Sequence, residues 1–187
     1  MRKIIVSNVV TLDGYFEGPD KEIDWFMVSE GFFAYARKVL ENADTLLYGR
    51  ITYELMLAFW PNATDQDPVI TEKMNSLPKI VFSNTLKKVE WGKWNNARLV
   101  NGNILDEITQ LKQKPGKDIV ILGSGTLVSQ LSQYGLIDEY RIIVNPLILG
   151  KGNLMFKDID HRIGLTLLKT EILDTGVVIL YYQLANV

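Results

Sequence analysis

The sequence predicts an α/β fold: a central, mostly parallel sheet with helices on both faces and an antiparallel C-terminal hairpin. Three observations predict it. Short β-branched runs alternate with amphipathic segments for about two thirds of the chain, a pattern that implies right-handed crossovers and a parallel sheet. Several of those runs end in glycine and pass directly into a helical pattern, as in Ile119-Val-Ile-Leu-Gly-Ser-Gly-Thr126. Finally, Leu165 to Leu173 and Val177 to Leu184 are consecutive strand-like runs joined by Asp174-Thr175-Gly176, a hairpin signal.

Lys3 to Val10 reads as the first strand, closed by the turn Thr11-Leu12-Asp13-Gly14, and Gly18-Pro19-Asp20 is a second turn. Ser29 is placed to cap a helix running to Glu41, with Phe32, Phe33, Ala36, Val39 and Leu40 on one face. Asp44 to Tyr48 is a strand. Gly49-Arg50 ends it and opens a helix whose expected core residues are Tyr53, Leu55, Met56 and Leu57. Asn62 to Asp67 is a polar loop broken by Pro68, and Val69 to Ser76 forms one or two helical turns.

Lys79 to Ser83 and Ala97 to Val100 are strands, with Glu90 to Asn96 between them as a loop or edge strand. Asn103 caps a helix with Ile104, Leu105, Ile108 and Leu111 inward, stopped by Pro115-Gly116. The strand Ile119 to Leu122 delivers the turn Gly123-Ser124-Gly125 to a helix burying Leu127, Val128 and Leu131. Asp138 to Val144 is the strand before the loop Asn145 to Gly152.

Composition narrows the chemistry. At 187 residues, 47% apolar and 22% charged, the chain reads as one globular domain over residues 1–187. A net charge of −2 argues against nucleic-acid binding driven by counterion release. The absence of cysteine excludes disulfides and thiolate chemistry, and a lone histidine, His161, excludes a Ser-His-Asp triad and multi-histidine metal sites. No metal site is expected. No apolar run approaches the roughly 20 residues that span a bilayer, and no signal peptide is visible, so the expected location is cytoplasmic, with no membrane partner.

The chemistry-bearing segments gather at strand ends. A strand-to-helix turn with two glycines exposes backbone N–H groups and a positive dipole end, which suits a phosphate. Read alone, Gly123-Ser124-Gly125-Thr126 is equally a turn that needs glycine for its backbone. It is not a full dinucleotide fingerprint, because Val128 stands where a third glycine belongs, and not a P-loop, because no Gly-Lys-Ser/Thr follows. Gly49-Arg50-Ile51-Thr52 repeats the arrangement with an arginine in the first turn. That placement opposes the helix dipole unless an anion binds there. Ser83 follows a third strand. Asp13 stands after the first, as a proton donor, a substrate anchor or a plain Asp-Gly turn. Trp25 suits a flat ring or covers the core, and Pro146 to Gly152 allows close backbone approach or is a plain loop. In an open α/β sheet such strand ends line one ligand-binding edge.

Taken together, Val10-Thr-Leu-Asp-Gly14, Leu47-Tyr-Gly-Arg-Ile-Thr-Tyr-Glu54, Val81-Phe-Ser83, Gly123-Ser-Gly-Thr-Leu127 and Pro146-Leu-Ile-Leu-Gly-Lys-Gly152 resemble the dihydrofolate-reductase-like superfamily. The nearest branch is the reductase domain of the riboflavin-biosynthesis deaminase–reductase (RibD C-terminal type). The resemblance covers essentially the whole chain. It implies NADPH across the carboxyl edge, with Gly49, Arg50 and Thr52 at the adenosine side and its 2′-phosphate, and Ser83 nearby. Gly123, Ser124, Gly125, Thr126 and Leu127 would cradle the pyrophosphate. Asp13, Trp25, Pro146 and Gly150 would border the nicotinamide and a small pyrimidine- or pteridine-type substrate, with Asp13 as the acid or its anchor. The implied activity resembles reduction of 5-amino-6-(5-phosphoribosylamino)uracil. A homodimer is also implied, with the C-terminal strands as its interface.

Two departures are visible. These residues cannot supply the zinc-binding Cys/His set that the deaminase half would need, and the acidic residue that dihydrofolate reductases carry on their first helix finds no place in the sequence. The rival reading is an NADPH- or nucleotide-binding protein without catalysis.

Overall fold

The computed structural model describes residues 1–185. In chain order the elements are β1 (Ile4–Thr11), β2 (Tyr15–Glu17), α1 (Glu30–Glu41), β3 (Ala43–Gly49), α2 (Arg50–Phe59), α3 (Pro68–Ser76), β4 (Lys79–Phe82) and β5 (Ala97–Val100). They continue as α4 (Ile104–Gln113), β6 (Asp118–Ile121), α5 (Gly125–Gln133), β7 (Glu139–Asn145), β8 (Asn153–Leu154), β9 (Leu165–Ile172) and β10 (Val178–Leu184). A single 3-10 turn, Trp60–Asn62, follows α2.

Eight strands form one sheet in the order β5-β4-β3-β6-β1-β7-β10-β9. It is parallel from β5 to β7, and β10 runs antiparallel to both β7 and β9. The central strands are buried on both faces, so β1, β3 and β6 read as nearly continuous apolar runs. One core layer joins the sheet to α1, α2 and α3 through Tyr35, Val39, Tyr53 and Met74. The other joins it to α4 and α5 through Ile108, Leu111, Val128 and Leu131.

This layering positions the site. β3 and β6 are neighbours, yet the helices that follow them pack on opposite faces. The carboxyl ends of these two strands therefore form a topological switch point, where a crevice opens in an α/β sheet.

Several local expectations are corrected. Pro68 begins α3 instead of breaking it: Asp67 caps the helix by accepting from the Val69 and Ile70 N–H groups, both at 3.0 Å. Proline suits the first helical position because its missing N–H had no partner there. Leu55 is not core but 56% exposed. Trp91 belongs to no extended edge strand; its ring is fully buried, stacks on Tyr48 and donates to Asn75 Oδ1 at 2.9 Å. The short pair β2·β8 was not expected, since two or three residues are too few to show a period. No helix among the described residues is long and apolar enough to cross a membrane.

Candidate functional site

The site is built where the ends of β3 and β6 lock together. The Gly49 N–H donates to Ser124 Oγ at 2.7 Å, and the Ser124 N–H donates to Thr52 Oγ1 at 2.9 Å. Asn8, buried on β1, grips the same turn from below. Its Oδ1 accepts from the Gly123 N–H at 2.7 Å and its Nδ2 donates to the Gly123 carbonyl at 3.1 Å. Gly123 has φ 76, and a Cβ there would stand 2.9 Å from Thr52 Cγ2. Both conformation and space thus require glycine. At Gly125 a Cβ would lie 2.9 Å from the Phe16 ring, so β2 closes directly over the start of α5.

The helix ends are unequal. α1, α3 and α4 are each capped by a side chain, from Ser29, Asp67 and Asn103 respectively. α2 and α5 have no side-chain cap and no acidic residue in the first turn. Their free N–H groups and dipole ends open onto one cavity of about 390 Å³, within the usual size for a small-molecule or cofactor site. Its walls include Gly49, Arg50 and Thr52 from one helix start and Ser124, Gly125, Thr126 and Leu127 from the other. Residues 75 apart in the chain thus share a wall.

The remaining expected site residues lie elsewhere. Gly123 sits beneath the cavity, held by Asn8. Ser83 is turned into its own loop, accepting from the Thr85 and Leu86 N–H groups, and Phe82 takes its place on the wall. Asp13, Trp25, Pro146 and Gly150 are not on this wall. Asp13 and Gly150 do meet. The Asp13 carboxylate accepts from Thr11 Oγ1 at 2.6 Å, the Leu149 N–H at 3.1 Å and the Gly150 N–H at 2.8 Å. These bonds, led by the Thr11 hydroxyl, hold its pKa down to about 2. An aspartate so held is ionised at neutral pH, and its carboxylate ties the turn after β1 to the 147–150 loop. Pro146 is exposed, and the half-buried Trp25 carries a buried indole N–H without a partner. Arg37 is committed to Glu30 and Asp67.

Phe16, Lys21, Asn153 and Lys157 line the cavity from the β2·β8 side, and Asn8 supports it. Only Asn8 left a signal in the sequence: a polar side chain inside a buried apolar strand needs a partner. The others belong to a segment without periodicity.

Chemically, the cavity suits a multiply charged anion joined to flat apolar groups. Arg50, Lys21 and Lys157 supply positive charge, and Leu55, Phe82 and Ile104 supply apolar wall. Arg50 pairs with Glu54 at 3.1 Å on the surface, a contact weak enough for a ligand to compete with.

Comparison with known proteins agrees with this architecture. The RibD C-terminal domain model matches residues 2–179. The Bacillus subtilis protein YyaP is 37% identical over 97% of this chain and 95% of its own length, and YwjB of the same organism is 28% identical over 91% of each. A solved Thermotoga maritima deaminase/reductase acting on 5-amino-6-(5-phosphoribosylamino)uracil superposes with a TM-score of 0.71 at 14% identity, over 98% of this chain and 57% of that one. Dihydrofolate reductase from Enterococcus faecalis, solved with NADP(H), gives 0.68 at 15% identity, over 98% and 97%. The fold is dihydrofolate-reductase-like, and the chain belongs to the RibD C-terminal domain family.

Proposed function

We propose that the protein is an NADPH-dependent reductase that transfers a hydride to a polarised C=N or C=O bond of a small heterocycle of the pyrimidine or pteridine type. The carrying observation is the meeting of two uncapped helix N-termini on one cationic cavity. Anions bind well at such ends, and a dinucleotide diphosphate with an added phosphate matches the donor set. The reductase structures that share the fold support the same reading.

Of the Gly123–Leu127 turn, the backbone N–H groups of Gly125, Thr126 and Leu127 would hold the diphosphate, since those of Gly123 and Ser124 are taken by Asn8 and Thr52. Gly49, Arg50 and Thr52 would hold the adenosine end, with Arg50 on the 2′-phosphate. Asp13 would fix the 147–150 loop that, with Trp25, Pro146 and Gly150, borders the substrate. NADPH, when bound, supplies the hydride; the chain supplies orientation and exclusion of water.

Titrating NADPH while following tryptophan fluorescence tests the reading. Saturable binding is expected, and no binding at millimolar cofactor would overturn it. Oxidation of NADPH in the presence of pyrimidinones or pteridines then separates a reductase from a protein that only binds the cofactor. Arg50→Ala should weaken NADPH about tenfold and leave NADH unchanged.

A further inference from the structure

Two lysines on the cavity wall have no side-chain partner among the described residues. Lys21 follows β2 and Lys157 follows β8, and both line the same cavity as the starts of α2 and α5. Among the described residues neither ammonium group makes an ion pair or hydrogen bond. Lys3, Lys112 and Lys169, by contrast, all face carboxylates.

Their placement is built. The Lys157 N–H donates to Ser129 Oγ at 3.1 Å, and that hydroxyl donates to the Met155 carbonyl at 3.1 Å. Ser129 is buried on α5, so Lys157 is pinned beside the helix whose first N–H groups are free. Lys21 has φ 67, a left-handed conformation that lysine adopts only at a cost. Its turn is closed by Gly18 N–H to the Glu22 carbonyl at 2.9 Å and Lys21 N–H to the Gly18 carbonyl at 3.1 Å.

An independent donor points the same way. Ser124 is 8% exposed and stands on the cavity wall. Its Oγ already accepts from Gly49, and its own proton has no acceptor among the described residues. The wall carries Arg50, Lys21 and Lys157 against one carboxylate, Glu17, which accepts from Asn153 Nδ2 at 2.9 Å. In a chain of net charge −2 this is a local reversal of sign.

We infer that Lys21 and Lys157 are ligands of the diphosphate, adding side-chain charge to the free N–H groups of the two helix N-termini on the same cavity. The inference rests on the NADPH reading for the identity of the ligand. Because the diphosphate is common to both cofactors, Lys21→Gln and Lys157→Gln should each weaken NADPH and NADH alike, by about tenfold. Added salt should weaken wild-type binding more steeply than that of the double variant. Lys87→Gln, exposed and off the cavity, should bind as wild type does.

Unchanged cofactor affinity in both single variants, with folding verified by circular dichroism, overturns the inference and leaves the NADPH reading standing. Inorganic pyrophosphate, followed by phosphorus NMR, separates the two. A wild-type protein that binds pyrophosphate through these lysines but not NADPH overturns the cofactor reading alone. One that binds neither overturns both.

Discussion

At Asp13 the decisive quantity is the number of donors. Three hydrogen bonds from Thr11, Leu149 and Gly150 converge on one half-buried carboxylate. Its folded pKa of about 2 lies below the ordinary 3.8. The bonds therefore stabilise the fold fully above the ordinary value and lose that contribution as pH falls toward 2. Asp13→Asn should lower stability at neutral pH and flatten its decline between pH 4 and 2, as measured by urea unfolding. Because Asp13 ties the turn after β1 to the 147–150 loop, the same variant should also raise the substrate KM more than it lowers kcat.

Lys79 presents the opposite sign. Its ammonium group is buried beside Trp91, 4.3 Å from the ring centroid, and donates to the Asn75 carbonyl. Burial pushes its pKa down to about 7. Between that value and the ordinary 10.5 the unfolded chain binds more protons, so stability should rise with pH through this window. Lys79→Met should remove the rise. It should also be no less stable at neutral pH, since Asn96 Nδ2 still serves the Asn75 carbonyl at 2.9 Å and an apolar replacement avoids burying charge. Thermal unfolding across that pH range measures both effects.

Among the elements, capped and uncapped helices divide the work. Asn103 accepts from the Leu105 N–H at 3.0 Å at the start of α4. Asn103→Ala should cost about 1 kcal/mol of stability. Gly123→Ala acts at the other kind of helix start. It forces alanine into a left-handed conformation, at about 1–2 kcal/mol, and pushes Thr52 off the Ser124 N–H. Denaturant unfolding should report the loss, and NADPH affinity should fall as well. α2, α4 and α5 were legible at this scale, since the glycine turns or cap that open them and their periodicity are local. Leu55 was misread because apolar spacing does not distinguish a core face from a cavity wall. The β2·β8 pair was not legible, because its partners are distant and its strands are too short for a pattern.

Across the whole molecule, β9 is the open edge of the sheet and displays Leu165, Leu167, Leu168 and Ile172 to solvent. An exposed apolar edge strand invites pairing with another chain, and the family resemblance implies a second copy as its occupant. Sedimentation equilibrium should find a dimer that Leu168→Lys with Ile172→Lys dissociates. A monomeric wild type would remove that expectation without touching the cavity.

The sequence by itself determined the alternation of strands and helices, the antiparallel C-terminal hairpin and the glycine turns at Gly49 and Gly123. These follow from side-chain period and turn chemistry, which act over a few residues. The tertiary structure alone decided that β6 inserts between β3 and β1, bringing Gly49 against Ser124 and setting two helix N-termini over one cavity. It likewise decided that the Asp13 carboxylate meets the 147–150 loop and that Lys21 and Lys157 line that same cavity. Strand order and cross-chain hydrogen bonds depend on which apolar faces bury one another, and local period does not encode that.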